Sequence, residues 1–193
     1  MEIPSIKIFG QIWSKKNLDL NFFRNGDPIK EANTVEDWIY CNEHHIPASC
    51  YYDKSIENGD EYGRIYNCYA LIDERGIAPE GWRVSCKEDW EVLIKLYGGY
   101  ENAGKKLKSI DGWAQKGNGI LNNDKGIACL PGGLRNPSGS FSSIKYKSLW
   151  WLYPSLDEIP TAIKVQQIEL AYEADHLRVS TGESGAYIRL LKD

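Results

Sequence analysis

The stretch Ser85-Cys86-Lys87-Glu88-Asp89-Trp90-Glu91-Val92-Leu93-Ile94-Lys95-Leu96-Tyr97-Gly98-Gly99 contains every signal of one helix. Ser85 as N-cap and Glu88 three residues later form a capping box, in which each side chain satisfies a backbone N–H of the other. Trp90, Leu93, Ile94 and Tyr97 follow at i, i+3, i+4 and i+7, so they share one apolar stripe. Gly98-Gly99 ends the helix, because glycine accepts the left-handed conformation of a C-cap. Trp90, Leu93, Ile94 and the preceding Trp82 region are assigned to the core.

Upstream, a second helix is predicted from Thr34. Thr34 caps it with Asp37 three residues on, Val35, Trp38 and Ile39 share a face, and it ends between Asn42 and His45, before Pro47. Ile6, Ile8, Ile12 and Trp13 predict an opening strand broken at Gly10. Residues 14 to 33 read as polar loop, with Asn25-Gly26-Asp27-Pro28 as a turn. Tyr62 to Asp73 reads as a buried strand pair or strand-loop.

Downstream, residues 110 to 143 are glycine-rich and without periodicity, which marks a long functional loop or a string of turns. Four strand-like runs follow, at 144 to 153, 162 to 172, 177 to 181 and 187 to 191. Two early helices and a late antiparallel sheet make an α+β fold. At 193 residues, with no internal repeat, the chain is expected to form one domain over 1–193.

Composition narrows the function. The apolar fraction is 42% and the charged fraction 26%, ordinary for a globular chain. Seven Trp, 12 Tyr and 18 Gly against one Met suggest a loop-rich fold with aromatic anchors rather than a helical bundle. Net charge is −4, not the basic footprint of a nucleic-acid binder. No run of 18 apolar residues occurs, so no membrane span is expected. The first residues carry no basic start followed by an apolar run, so no secretory signal is read there. The five cysteines, Cys41, Cys50, Cys68, Cys86 and Cys129, fit no zinc spacing. They read as reduced, partly buried thiols, with a Cys41–Cys50 disulfide as the alternative.

Several phrases together resemble one family. They are Gly10-Gln11-Ile12-Trp13, Phe23-Arg24-Asn25-Gly26-Asp27-Pro28-Ile29, Pro47-Ala48-Ser49-Cys50-Tyr51-Tyr52, Tyr62-Gly63-Arg64-Ile65-Tyr66-Asn67 and Ala78-Pro79-Glu80-Gly81-Trp82-Arg83-Val84. Ala103 to Ser109, Gly112-Trp113, Leu130 to Asn136, Trp150-Trp151 and Ile188 to Asp193 continue the series in order. The chain resembles the Fibrobacter succinogenes major paralogous domain family along nearly its whole length. The resemblance implies a C-type lectin-like fold: two helices, a small twisted antiparallel sheet and long loops. It implies distant kinship with formylglycine-generating sulfatase-modifying factors, and a place in secreted or surface proteins of Bacteroidetes-type bacteria. Three positions depart from the family pattern. Cys68 stands where a Trp is usual, Leu152-Tyr153-Pro154 replace small hydroxyl residues, and Leu190 stands where a late Cys is frequent. Cys50 therefore lacks that Cys as a partner.

These readings lead to a non-catalytic binding module with a glycan or protein ligand, in an adhesion-type role. Exposed aromatics stack on sugar faces while Asn, Asp and Arg bond the hydroxyls, so Trp113, Asn136, Trp151, Tyr153 and Asp157 are the candidate site residues. Trp150 and Trp151 point to opposite faces of a strand; one is expected in the core and the other at a loop or ligand. The loops between 111 and 160 and the turn at Thr181 to Ser184 are the expected contact regions. No cofactor is expected. Calcium would need clustered oxygen ligands, and Asn118, Asn122, Asn123 and Asp124 read rather as a polar turn. The alternative is a protein-interaction domain, or cargo of a bacterial injection apparatus. An enzyme akin to the formylglycine-generating factors is disfavoured, since their chemistry uses two late cysteines and only Cys129 lies late here. His44-His45 read as a helix terminus, where a cation suits the dipole.

Overall fold

The computed structural model describes residues 2–114, 126–154 and 165–193. The chain opens with a hairpin of β1 (Ser5–Ile8) and β2 (Gln11–Ser14). Phe9 and Gly10 at its tip have φ of 45° and 88°, the left-handed pair that a two-residue type I′ turn requires. Next come β3 (Lys30–Glu31), α1 (Val35–Glu43), β4 (Ala48–Cys50), α2 (Ile56–Tyr62), β5 (Ile65–Tyr66) and α3 (Cys68–Ile72). The middle of the chain is β6 (Trp82–Val84), α4 (Lys87–Leu96) and α5 (Tyr100–Leu107). The last part holds β7 (Leu134–Arg135), β8 (Phe141–Ser142), β9 (Lys147–Leu152), β10 (Gln166–Ala171), β11 (Leu177–Thr181) and β12 (Leu190–Lys192).

The strands form small separate sheets. One has the order β1-β2-β12-β6, so the chain's two ends meet in it. Another is the antiparallel meander β11-β10-β9, and β3-β4-β5 and β7-β8 are smaller. The fold is therefore mixed α+β, with several small sheets and, among the described residues, five helices rather than two.

Trp150 and Trp151 sit side by side on β9, opposite Ile168 and Gln167 of β10. Neither is exposed. Because adjacent residues on a strand face opposite ways, each enters a different core. Trp150 joins Trp13, Trp38 and Trp90 in the first. The Trp13 and Trp90 rings meet edge to face at 5.3 Å, and Trp90 lies 5.7 Å from Trp150. Trp151 joins Tyr66, Trp82 and Phe23 in the second. The expectation that one of the pair meets a loop or ligand is thus corrected, since β9 is covered on both faces.

Other expectations shift for stated reasons. Thr34 caps α1 with Asp37 as read, with the Asp37 N–H donating to Thr34 Oγ1 at 2.9 Å. Trp38 and Cys41 are its buried residues, however, while Val35 is exposed. The α4 cap falls one residue later than read, on Cys86 with Asp89. Ser85 is fully buried and its Oγ accepts from Trp90 Nε1 at 3.0 Å, so it is unavailable as a cap. The strand pair or strand-loop read at 62–73 is the short β5 followed by α3. Asn67 starts that helix: its Oδ1 accepts from the N–H of Ala70 and of Ala48, both at 3.0 Å. The 14–33 stretch is loop between the end of β2 and the two-residue β3, but Leu18, Leu20, Phe23 and Ile29 on it help build the second core. Residues 187–191 bridge to β9 at Tyr187 and then run into β12 beside the opening hairpin. All five cysteines are free thiols, so the Cys41–Cys50 alternative does not form.

Candidate ligand-binding cleft

The residues just before α4 build a polar site. On β6, Val84 points into the second core while Arg83 alternates outward. Arg83 then meets Asp89, six residues on and one helical turn into α4. The pair is bidentate, with Arg83 Nη1 to Asp89 Oδ2 at 2.6 Å and Nη2 to Oδ1 at 2.7 Å. The Cys86 N–H donates to Asp89 Oδ2 at 2.9 Å, and the Cys86 thiol to the same oxygen at 3.1 Å. Asp89 is nearly buried, at 6% exposure.

Charge in this cluster is set by these contacts. Burial alone would raise the Asp89 carboxyl, but the Arg83 guanidinium and the Cys86 N–H outweigh it and hold the group below its ordinary value. Burial and the carboxyl groups of Glu88 and Asp89 push the Cys86 thiol up to about 12. Cys86 is therefore protonated at neutral pH and is no thiolate nucleophile.

A cavity of about 800 Å³ opens over this cluster. Leu71, Ile77, Val84 and Pro154 supply apolar wall, Arg24, Arg83, Glu88 and Asp89 polar groups, and Tyr153 an aromatic ring. Arg24 is fixed by donation from Nε to Ala78 O at 2.9 Å. Asp73, on the far wall, is clamped by Arg75 at 2.8 and 2.9 Å, and its carboxyl is held below its ordinary value mainly by those bonds. Tyr153 is held by its N–H, which donates to Ser85 O at 3.0 Å. The cleft thus combines donors, acceptors and apolar wall, on a frame fixed by the Arg83–Asp89 and Arg75–Asp73 pairs and by backbone contacts.

Of the four candidate residues that the structure describes, only Tyr153 lines this cleft. Trp151 is enclosed, its Nε1 donating to Tyr66 O at 2.8 Å. Trp113 is 6% exposed, donates to Cys129 O at 3.2 Å, and has Lys108 Nζ 5.2 Å from its ring centre. Asn136 closes a tight turn, its Nδ2 donating to Ser140 Oγ at 3.0 Å. Asp157 and the polar turn at 118 to 124 lie outside the described residues. The four described ones are not gathered into one site. His44 stacks on Tyr40 at 4.0 Å, with Nδ1 2.9 Å from Tyr40 O, which is a helix-end role.

Sequence reading missed Arg24, Arg83 and Asp89. The available signal was that Asp89 also lies three residues after a residue able to start the helix, Cys86. Arg24 comes from a distant loop, and no local pattern announces it. Among the described residues, no group of three His, Cys, Asp or Glu is placed to hold a metal ion, and no helix is long and apolar enough to cross a membrane.

The sequence profile described as the Fibrobacter succinogenes major domain matches residues 6–192. No curated protein and no solved structure matches the chain significantly.

Proposed function

Since the chain belongs to the Fibrobacter succinogenes major domain family, we propose that it is a non-catalytic binding module for carbohydrate, of C-type lectin-like fold, serving an exported bacterial protein in surface recognition. The observation that carries this reading is the cleft between β6, α4 and Tyr153. Saccharide hydroxyls both donate and accept, and the sugar ring has an apolar face. The cleft offers a matching set, with guanidinium donors at Arg24 and Arg83, a carboxylate acceptor at Glu88 and an aromatic ring beside apolar wall, while Asp89, its oxygens taken by Arg83 and Cys86, holds Arg83 in place. Mixed charge favours a neutral or weakly charged sugar over a polyanion. The protonated Cys86 thiol supports binding rather than covalent chemistry.

A glycan array on the purified chain, with calcium and with EDTA, tests the reading. Reproducible hits are expected, and Tyr153→Ala should weaken them by about tenfold, or about 1.4 kcal/mol. Hits lost in EDTA would add a calcium requirement. A blank array with demonstrably folded protein overturns the carbohydrate reading.

A further inference from the structure

The opening hairpin leaves a sheet edge uncovered. A two-residue turn is closed by a hydrogen-bonded pair, here Ile8 with Gln11. Such pairs alternate with non-bonded ones along an antiparallel ladder, so Ile6 with Trp13 and Pro4 with Lys15 are the next bonded pairs. The Lys15 N–H, donating to Pro4 O at 2.8 Å, follows that alternation. Ser5 and Lys7 therefore turn their N–H and C=O groups away from β2. Both residues are exposed, and the main chain of neither bonds any other described residue. The opposite edge of the same sheet differs: just beyond β6, Cys86 is bridged to Tyr153.

Phe9, at the end of this open edge, is a separate observation. It is 75% exposed and holds φ of 45°. A strained backbone under an exposed apolar ring costs stability and gains none within one chain.

Two copies of β1 running antiparallel about a twofold axis at Ile6 account for both features. Ser5 of each copy then exchanges two hydrogen bonds with Lys7 of the other, which uses every open N–H and C=O of these two residues. The half-buried Ile6 meets Ile6 of the second copy, an apolar cross-strand pair. Phe9 comes alongside Ile3 and Pro4 of the second copy. Charge selects this register. Centring the axis on Lys7 sets two ammonium groups opposite each other, whereas centring it on Ile6 sets each against a serine. Centring it on Ser5 slides Phe9 past Ile3.

We propose that β1 is the contact through which two copies of this chain form a twofold dimer, joining their four-stranded sheets into one continuous sheet. The strand is short, so the interface belongs to the small, transient class. The assignment does not rest on carbohydrate binding in the cleft, and each can fail alone.

Sedimentation velocity on the full chain, from micromolar to millimolar concentration, should show a monomer–dimer equilibrium. Ser5→Lys sets an ammonium group against Lys7 twice across the axis and should raise the dimer dissociation constant about tenfold; Ser5→Glu should lower it. Position 5 is exposed, so both variants should unfold in urea as the unaltered chain does when dilute. Phe9→Asn should weaken the dimer while stabilising the monomer. In a mixture of Ser5→Cys and Lys7→Cys chains, oxidation should join the two new cysteines, as mapped by mass spectrometry. Neither variant alone should cross-link at its new cysteine, because like positions lie diagonally apart. A monomer at every concentration, a dimer indifferent to the charge at position 5, or no such cross-link in the mixture overturns the proposal. A monomer that binds an alternating valine–threonine pentapeptide, with the Ser5 and Lys7 amides protected from hydrogen exchange, overturns the second copy in favour of an extended segment of another protein.

Discussion

Among the described residues, three buried cations rest mainly on backbone oxygens rather than on carboxylates. Arg189 is 1% exposed; its Nε donates to Asn17 Oδ1 at 2.7 Å and its Nη1 to Ser14 O and Lys15 O at 2.8 and 2.6 Å. Arg135 is also enclosed, lying between the rings of Trp38 and Phe141 at 4.6 and 4.7 Å. Lys108 Nζ donates to Tyr172 O and Ala174 O at 2.9 and 2.8 Å. Burial lowers the pKa of both Arg189 and Lys108. Removing one such cation strands several buried acceptors at once. Arg189→Met should therefore cost about 4 kcal/mol in urea unfolding, from about 1–3 kcal/mol per stranded group. The two aromatics of the 150–153 stretch make a contrasting pair. Trp151→Ala should cost about 3–5 kcal/mol, since it empties a packed core. Tyr153→Ala should leave stability within about 1 kcal/mol and act on binding instead.

The hairpin and α4 show how propensity and packing divide the work of forming an element. At the β1–β2 tip, Phe9 is 75% exposed and holds φ of 45°. A left-handed conformation costs a non-glycine residue about 1–2 kcal/mol, and asparagine bears it best. Phe9→Asn should therefore raise stability by about 0.5–1 kcal/mol, read as a higher urea midpoint. In α4, Asp89 serves as both cap partner and ion-pair partner. Its carboxyl is held below the unfolded value of about 3.9. The resulting stability is complete above that value and is lost as pH falls through the lower folded one. Asp89→Asn should cost about 2 kcal/mol at pH 7, with the deficit shrinking below pH 4; unfolding at pH 7 and pH 3 checks both. These elements also mark what the sequence could disclose. The stripe at Trp90, Leu93 and Ile94 and the cap at Thr34 were legible, because they depend on neighbours within one or two turns. The displaced cap at Cys86 was not, because what occupies Ser85 is the indole of Trp90, known only once the core is packed. The helix α3 stayed hidden because it has five residues and no periodicity to detect. The cleft was legible only at Tyr153, since Arg24 on a loop and Asp89 on α4 line it from places far apart in the chain.

At the scale of the molecule, β9 is the shared wall of both cores, with Trp150 on one side and Trp151 on the other. Neither core has an independent boundary there, so neither can melt while the other stays. Far-UV circular dichroism and tryptophan fluorescence should follow one coincident urea transition. Two separated transitions would contradict the shared wall. The thiols should behave as part of the same unit. Cys41, Cys50 and Cys129 are buried, and burial pushes Cys50 to about 11 and Cys129 to about 12. Ellman's reagent should leave those three unmodified in the native protein and find all five in urea. The buried cations carry a last implication, for how this fold tolerates change. A side-chain partner disappears when its codon changes, but a main-chain carbonyl is present whatever residue occupies the position. Lys15, Ala32, Thr34, Tyr172 and Ala174 give Arg189, Arg135 and Lys108 only their carbonyls. The loops that carry them can therefore be rewritten while their anchors hold, so a binding surface can be diversified over an unaltered frame.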